Sequence, residues 1–150
     1  MNLKRAIWIS VALYVSTFIL GVILTVIAQV SLASPQEIPT VYWIITIVVT
    51  VLLTSLASVW YFNKSGVSRN INEGLKLGLT FVLTGLVLDI LFFIPLLFTS
   101  GTSIIVEYYS NASFYLTLLL VVASATFIGS RHQSKETKPE VKKTTKKSKN

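Results

Sequence analysis

The sequence predicts an all-α fold, an integral membrane antiparallel four-helix bundle with a disordered basic C-terminal tail, on three observations. Of the 150 residues 53% are hydrophobic and 13% charged, about half the charged share of an ordinary soluble domain. Apolar runs longer than the ~18 residues that cross a hydrocarbon core ~30 Å thick recur along the chain. The 13 Lys and Arg residues, which give a formal net charge of +7, all fall at one set of run ends. Together these features exclude a soluble enzyme. The absence of cysteine excludes a disulfide-stapled domain and a thiolate metal centre, and His132 lies outside the apolar runs.

The first span is expected over residues 6–30, after Lys4 and Arg5. Pro35 and Pro39 in the following polar stretch close it and open the second, residues 41–62. The third covers 74–98 and the fourth 104–129. At 1.5 Å per residue each is about 30–40 Å long, enough to span with some tilt. Short connectors make consecutive helices antiparallel neighbours. The tail, residues 130–150, holds eight cations and almost no apolar side chain, so it cannot bury enough surface to fold alone.

Cation placement sets the orientation, because positively charged loops resist translocation. Lys4 and Arg5 precede the first span, Lys64, Arg69 and Lys76 lie between or just inside the second and third, and the tail holds the rest. Both termini are therefore expected on the cytoplasmic side of the cell membrane. Trp8, Trp60 and Tyr61 are expected to mark inner ends and Tyr42, Trp43, Tyr108 and Tyr109 outer ends, where amphipathic rings prefer the headgroup layer.

Lipid tails are as apolar as leucine, so membrane helices associate through close-packed small residues and interhelical hydrogen bonds. Each span carries such a stripe: Ser10, Tyr14, Thr17, Gly21, Thr25 and Ala28 in the first; Thr46, Thr50, Thr54 and Ser58 in the second; Ser110, Ser113, Thr117 and Ser124 in the fourth. In the third, Gly74, Gly78, Gly85 and Asp89 share an arc of about 60° with Phe81 on the same face. Two explanations fit these stripes. They form the packing seam of the bundle, with Gly74, Gly78, Gly85, Gly21, Thr50 and Thr54 as contact positions, or they line a polar path or ligand pocket. Hydroxyls on a helix can satisfy their own backbone carbonyls, so their presence alone does not require a cavity.

Asp89 is the one ionisable side chain deep within a span. A charged group at such depth costs at least ~2.5–3.5 kcal/mol on insertion scales, so it should face the interior as a largely neutral acid that donates to a Thr, Ser or backbone oxygen on a facing helix. Its roles are interhelical glue or the binding of a proton or cation. Pro95, six residues on, cannot donate a backbone N–H and crowds the carbonyl of Leu91, which joins it to Asp89 as one candidate site. Asn70-Ile71-Asn72-Glu73 fits a capping box that opens the third helix.

Over Asn72-Glu73-Gly74-Leu75-Lys76-Leu77-Gly78, Leu88-Asp89 and Pro95, the chain resembles small four-span membrane proteins of uncharacterised function in bacteria and archaea. The resemblance implies the four-span architecture and an interest in Asp89, and implies no substrate. Small multidrug exporters share the size but place their essential membrane acid in the first helix, where this chain has none.

The tail's Lys142, Lys143, Lys146 and Lys147 are expected to meet anionic lipid headgroups, each basic residue near the surface contributing up to ~1 kcal/mol. Without interleaved aromatics the tail is not a specific nucleic-acid module. No nucleophile-base pair, phosphate loop, metal cluster or cofactor motif is present in the sequence, and Asn111-Ala112-Ser113 lies too near the membrane to serve as a glycosylation sequon. A non-enzymatic accessory or structural membrane component, self-associating or part of a larger complex, is therefore the first expectation. A small transporter or channel-like subunit using Asp89 is the alternative.

Lys4-Arg5, the apolar run and Ser31-Leu32-Ala33 also resemble a cleavable signal peptide, whose apolar region runs about 7–15 residues. The first run here is about 25 residues long and is expected to be retained. Intact mass spectrometry of the purified protein should give 16.6 kDa. A mass short by the first 33 residues would show cleavage instead.

Overall fold

The computed structural model describes residues 1–27, 40–63, 67, 70–100, 106 and 109–136. Among these residues there are four long helices and no strand: α1 (Leu3–Ile27), α2 (Thr40–Phe62), α3 (Ile71–Ser100) and α4 (Ala112–Glu136). All four contain a stretch long and apolar enough to cross a membrane. Val, Ile and Thr are indifferent helix formers in water, whereas in the apolar core of a bilayer, which these helices are long enough to cross, backbone groups would have no partner outside the intrahelical ladder.

Three helices begin on asparagine. The Asn2 side chain accepts from Arg5 N at 3.1 Å, Asn70 from Glu73 N at 2.8 Å and Asn111 from Ser113 N at 2.9 Å, each satisfying an otherwise orphaned N–H at the start of a helix. Half of the expected capping box is present. The Glu73 carboxylate does not reach back to its cap; its Oε1 lies 3.1 Å from the Met1 amino group and 3.9 Å from Lys76 Nζ. Asn111 caps α4 at Ala112; Val106, Tyr109 and Ser110, the described residues just before it in the span expected from 104, are helical as well. At its other end α4 continues to Glu136, past the expected boundary at Gly129, because extending a formed helix costs far less than nucleating one. The rest of the tail, with Lys142, Lys143, Lys146 and Lys147, lies outside the described residues.

Contacts at one end fix the arrangement. Asn2 N donates to Tyr61 Oη at 3.1 Å, and Arg5 Nη2 donates to the Trp60 carbonyl at 2.6 Å with its guanidinium over the Tyr61 ring. Gly129 approaches the Asn70 carbonyl and Gly74. The start of α1, the end of α2, the start of α3 and the end of α4 therefore meet, and the buried cluster of Ala6, Ile9, Tyr61, Phe62, Leu77, Phe81, Val121 and Ala125 lies beside them. Tyr61 is fully buried in that core, where its ring packs edge-on against Phe62, in place of its expected position in a headgroup layer. Trp8 and Trp60 remain exposed.

The tightest contact joins α3 to α4. A Cβ on Gly74 would lie 2.8 Å from the Ala125 carbonyl and Thr126 Cα, and one on Gly78 would lie 2.8 Å from Val122 Cα. As α3 advances from Gly74 to Gly78, its contacts on α4 retreat from Thr126 to Val122. The small-residue pattern thus serves a neighbouring helix of the same chain. Gly21 and Gly85, expected as further packing positions, are not close approaches: a Cβ at either would meet nothing within 4 Å.

The outer faces carry Val15, Ile19, Val48, Leu52, Leu56, Leu83, Val87, Leu116 and Leu119, all exposed. Apolar exposure on every helix is far beyond what a soluble monomer presents.

Replacing Gly78 by Val should lower the melting temperature in detergent, equivalent to about 1–3 kcal/mol of overpacking, because its close neighbour is backbone that cannot swing aside. Gly21→Ala should be neutral or stabilising by up to ~1 kcal/mol, from helix propensity alone. Thermal denaturation followed by circular dichroism checks both.

Candidate functional site

Beyond the close α3–α4 contact the four helices line a partly open cavity of about 200 Å³. All four contribute to its wall, each through positions spaced to share one helical face. From α1 come Ser10, Leu13, Tyr14 and Thr17, and from α2 Trp43, Thr46, Thr50 and Thr54. From α3 come Phe81, Val82, Gly85, Leu86 and Asp89, and from α4 Phe114, Thr117, Leu118 and Val121. The stripe on α3 is therefore divided between two roles. Its first half, Gly74 and Gly78, presses on α4, and its second half, Gly85 and Asp89, opens on the cavity.

Asp89 is half-buried in this wall. Tyr14 Oη donates to its Oδ1 at 2.7 Å, linking α1 to α3. The expectation was an acid donating to a Thr, Ser or backbone oxygen; here the Asp89 oxygen accepts instead, and its partner is a phenol. Tyr14 lies 13 residues beyond Met1 and Asp89 16 beyond Glu73, and those two starting residues are paired. Counting 1.5 Å per residue puts the groups about 20 and 24 Å from that pair, so their meeting is a matter of register. Phe92, one turn past Asp89, packs against Phe18 with ring centroids 4.9 Å apart and against Tyr14 at 6.3 Å, holding the phenol in place. Among the described residues no Lys, Arg or His lines the cavity. The charged groups of Arg5, Glu73 and Lys76 are gathered instead at the terminal end.

The hydroxyls of the wall divide into two kinds. Ser10, Thr17, Thr50 and Thr117 each donate to the carbonyl four residues back, at 2.7–2.9 Å, and need no further partner. Thr46 and Thr54 on α2 do not: the Oγ1 of each is buried without a hydrogen-bond partner, and Thr54 is fully buried. An unmade buried hydroxyl bond costs about 1–3 kcal/mol, which marks these two as places where a bound water or ligand would gain most.

Of the remaining sequence candidates, Ser58 is buried but donates to the Thr54 carbonyl at 2.8 Å below the cavity, and Ser124 is likewise satisfied on its own helix. Pro95 lies within α3, which continues through it to Ser100; its side chain is outside the described set. Trp43, expected in a headgroup layer, lines the cavity. It escaped the sequence pattern together with Leu13, Phe114 and Val121, because an apolar residue facing a cavity cannot be told from one facing lipid. Among the described residues no group of three or more His, Cys, Asp or Glu could hold a metal ion. Comparison of the chain with protein-family models, curated proteins and solved structures finds no match.

Tyr14→Phe removes one hydrogen bond at constant shape and leaves the Asp89 carboxyl short of its donor. It should destabilise the protein by about 1–3 kcal/mol. The effect of Tyr14→Phe should nearly vanish in an Asp89→Leu background, which thermal melts of the four forms in a double-mutant cycle will measure.

Proposed function

We propose that this is a multi-pass protein of the cell membrane, an antiparallel four-helix bundle with both termini cytoplasmic, acting without enzymatic chemistry as a small transporter or channel-like subunit that binds a proton or cation at Asp89. The observation that carries the proposal is the cavity built by all four helices with Asp89 in its wall. An intramembrane acid facing such a space is well placed to exchange a proton or cation with it.

The membrane setting is supported by four apolar helices and by the gathering of Arg5, Lys76 and Gly129, two residues before Arg131, at one end. With that end cytoplasmic, the cavity lies in the membrane beyond it, and the tail lysines lie against anionic lipid headgroups. Self-association or entry into a larger complex would use faces other than Gly74 and Gly78, which α4 already covers.

A second role, that of a structural or accessory component, is favoured by the self-satisfied hydroxyls of Ser10, Thr17, Thr50 and Thr117, which require nothing in the cavity. The two roles separate in reconstituted vesicles. With an imposed proton or sodium gradient, vesicles holding the native protein should dissipate it faster than protein-free vesicles, and Asp89→Asn should return the rate to the protein-free value with the helical spectrum retained. Equal flux in the native and Asp89→Asn forms, with only a change in melting temperature, would assign the structural role.

A further inference from the structure

Resting on the proposal that Asp89 binds a cation, we infer that the cation is a small organic ammonium ion with a ring-sized apolar body, its N–H groups donating to Asp89. Size is the first constraint. A cavity of about 200 Å³ is larger than the ~150 Å³ that accommodates benzene in an engineered apolar site, and far more than a proton needs.

The chemistry of the wall is the second. A hard inorganic ion demands several oxygen ligands converging at fixed distances. This wall offers a single carboxylate, and the hydroxyls of Ser10, Thr17, Thr50 and Thr117 have given their protons to their own helices and keep only neutral oxygen lone pairs, spread over three helices. Between those polar points it presents Leu13, Val82, Phe81, Phe114 and Trp43. An ammonium ion with an apolar body fits both halves, because its charge sits on a compact donor and its remainder prefers a greasy enclosure. Aromatic faces within ~6 Å of a cation add attraction.

Hydrogen-bond supply is the third. Asp89 Oδ1 already accepts from Tyr14, and among the described residues Oδ2 accepts from no group. An ammonium N–H can donate to Oδ2 and brings the positive charge that the wall lacks among the described residues. An anionic ligand would find no cation in the wall and a like charge at Asp89. Toward the close α3–α4 contact, Phe81 lies eight residues from Asp89, about 12 Å along α3. That length takes a ring on a short aminoalkyl arm.

The test uses the full-length protein in detergent micelles, titrated calorimetrically with phenethylammonium chloride, with the neutral analogue propylbenzene and with sodium chloride. Phenethylammonium should bind saturably and roughly tenfold or more tighter than propylbenzene, the difference expected of a charge-assisted hydrogen bond. Asp89→Asn should abolish that preference. Gly85→Val keeps the carboxylate and places its methyls in space where a Cβ meets nothing within 4 Å, so it should fold normally and weaken phenethylammonium binding at least about tenfold by filling the cavity. Micellar partitioning is common to all three proteins and cancels in the comparison. Equal binding of the charged and neutral probes, or equal phenethylammonium binding by native and Gly85→Val protein, overturns the inference. Asp89-dependent proton or sodium flux without phenethylammonium binding also overturns it, while leaving the cation-binding proposal standing. Phenethylammonium binding without such flux sustains it and removes the inorganic-transport role.

Discussion

The close approach of α3 and α4 at Gly74, Gly78 and Gly129 is the constraint on which the rest of the structure depends. Helices in lipid gain nothing from hiding apolar surface from one another, so their association rests on dispersion between closely fitted atoms. Hydrogen in place of a side chain lets the two backbones meet where a Cβ would stand 2.8–3.0 Å from backbone atoms. Seven residues beyond Gly78 the same face of α3 carries Gly85, and there a Cβ would meet nothing within 4 Å. Two glycines on one face thus have opposite surroundings, because the helices that touch at the terminal end have separated by the middle.

That separation makes Asp89 tolerable. In a bilayer a charged side chain costs ~2.5–3.5 kcal/mol by the lower scales, and one hydrogen bond to a charged group returns ~1.5–3 kcal/mol. The bond from Tyr14 is therefore close to sufficient without a salt bridge. Tyr14 serves in this way because Phe92 and Phe18 fix its ring and because α1 and α3 are aligned by the contacts of Met1 with Glu73. The terminal cluster and the cavity wall are coupled through rigid helices. A slip of one turn at Glu73 would move Asp89 by about 5.4 Å and break its hydrogen bond.

Much of this organisation was legible from residue types. Four long apolar runs, the cap at Asn70 and the small-residue pairing of Gly74 with Gly78 each express local chemistry, and each has a counterpart in the structure. Other features escaped for physical reasons. By sequence Asn111 falls inside the fourth span with no part in shaping it, whereas its side chain accepts from Ser113 N and caps α4. Tyr61 read as an interfacial ring, but its hydroxyl accepts a bond from Asn2 and its ring fills the core. Hydropathy does not distinguish an aromatic residue at a helix end that faces lipid from one that faces a neighbouring helix.

The sequence by itself determined that the chain forms long apolar helices, that its cations cluster at one set of ends and that Asp89 is the one acid deep within an apolar run, because length, hydropathy and charge are properties of residues taken in order. It also determined which residues share a helical face. Only the tertiary structure decided what each face meets. Gly74 and Gly85, on one face of one helix, find a backbone and an open space, and the threonines of α2 alternate between a carbonyl of their own helix and no partner at all. The separation of helix axes depends on the summed shapes of four surfaces, which no periodicity within one segment encodes.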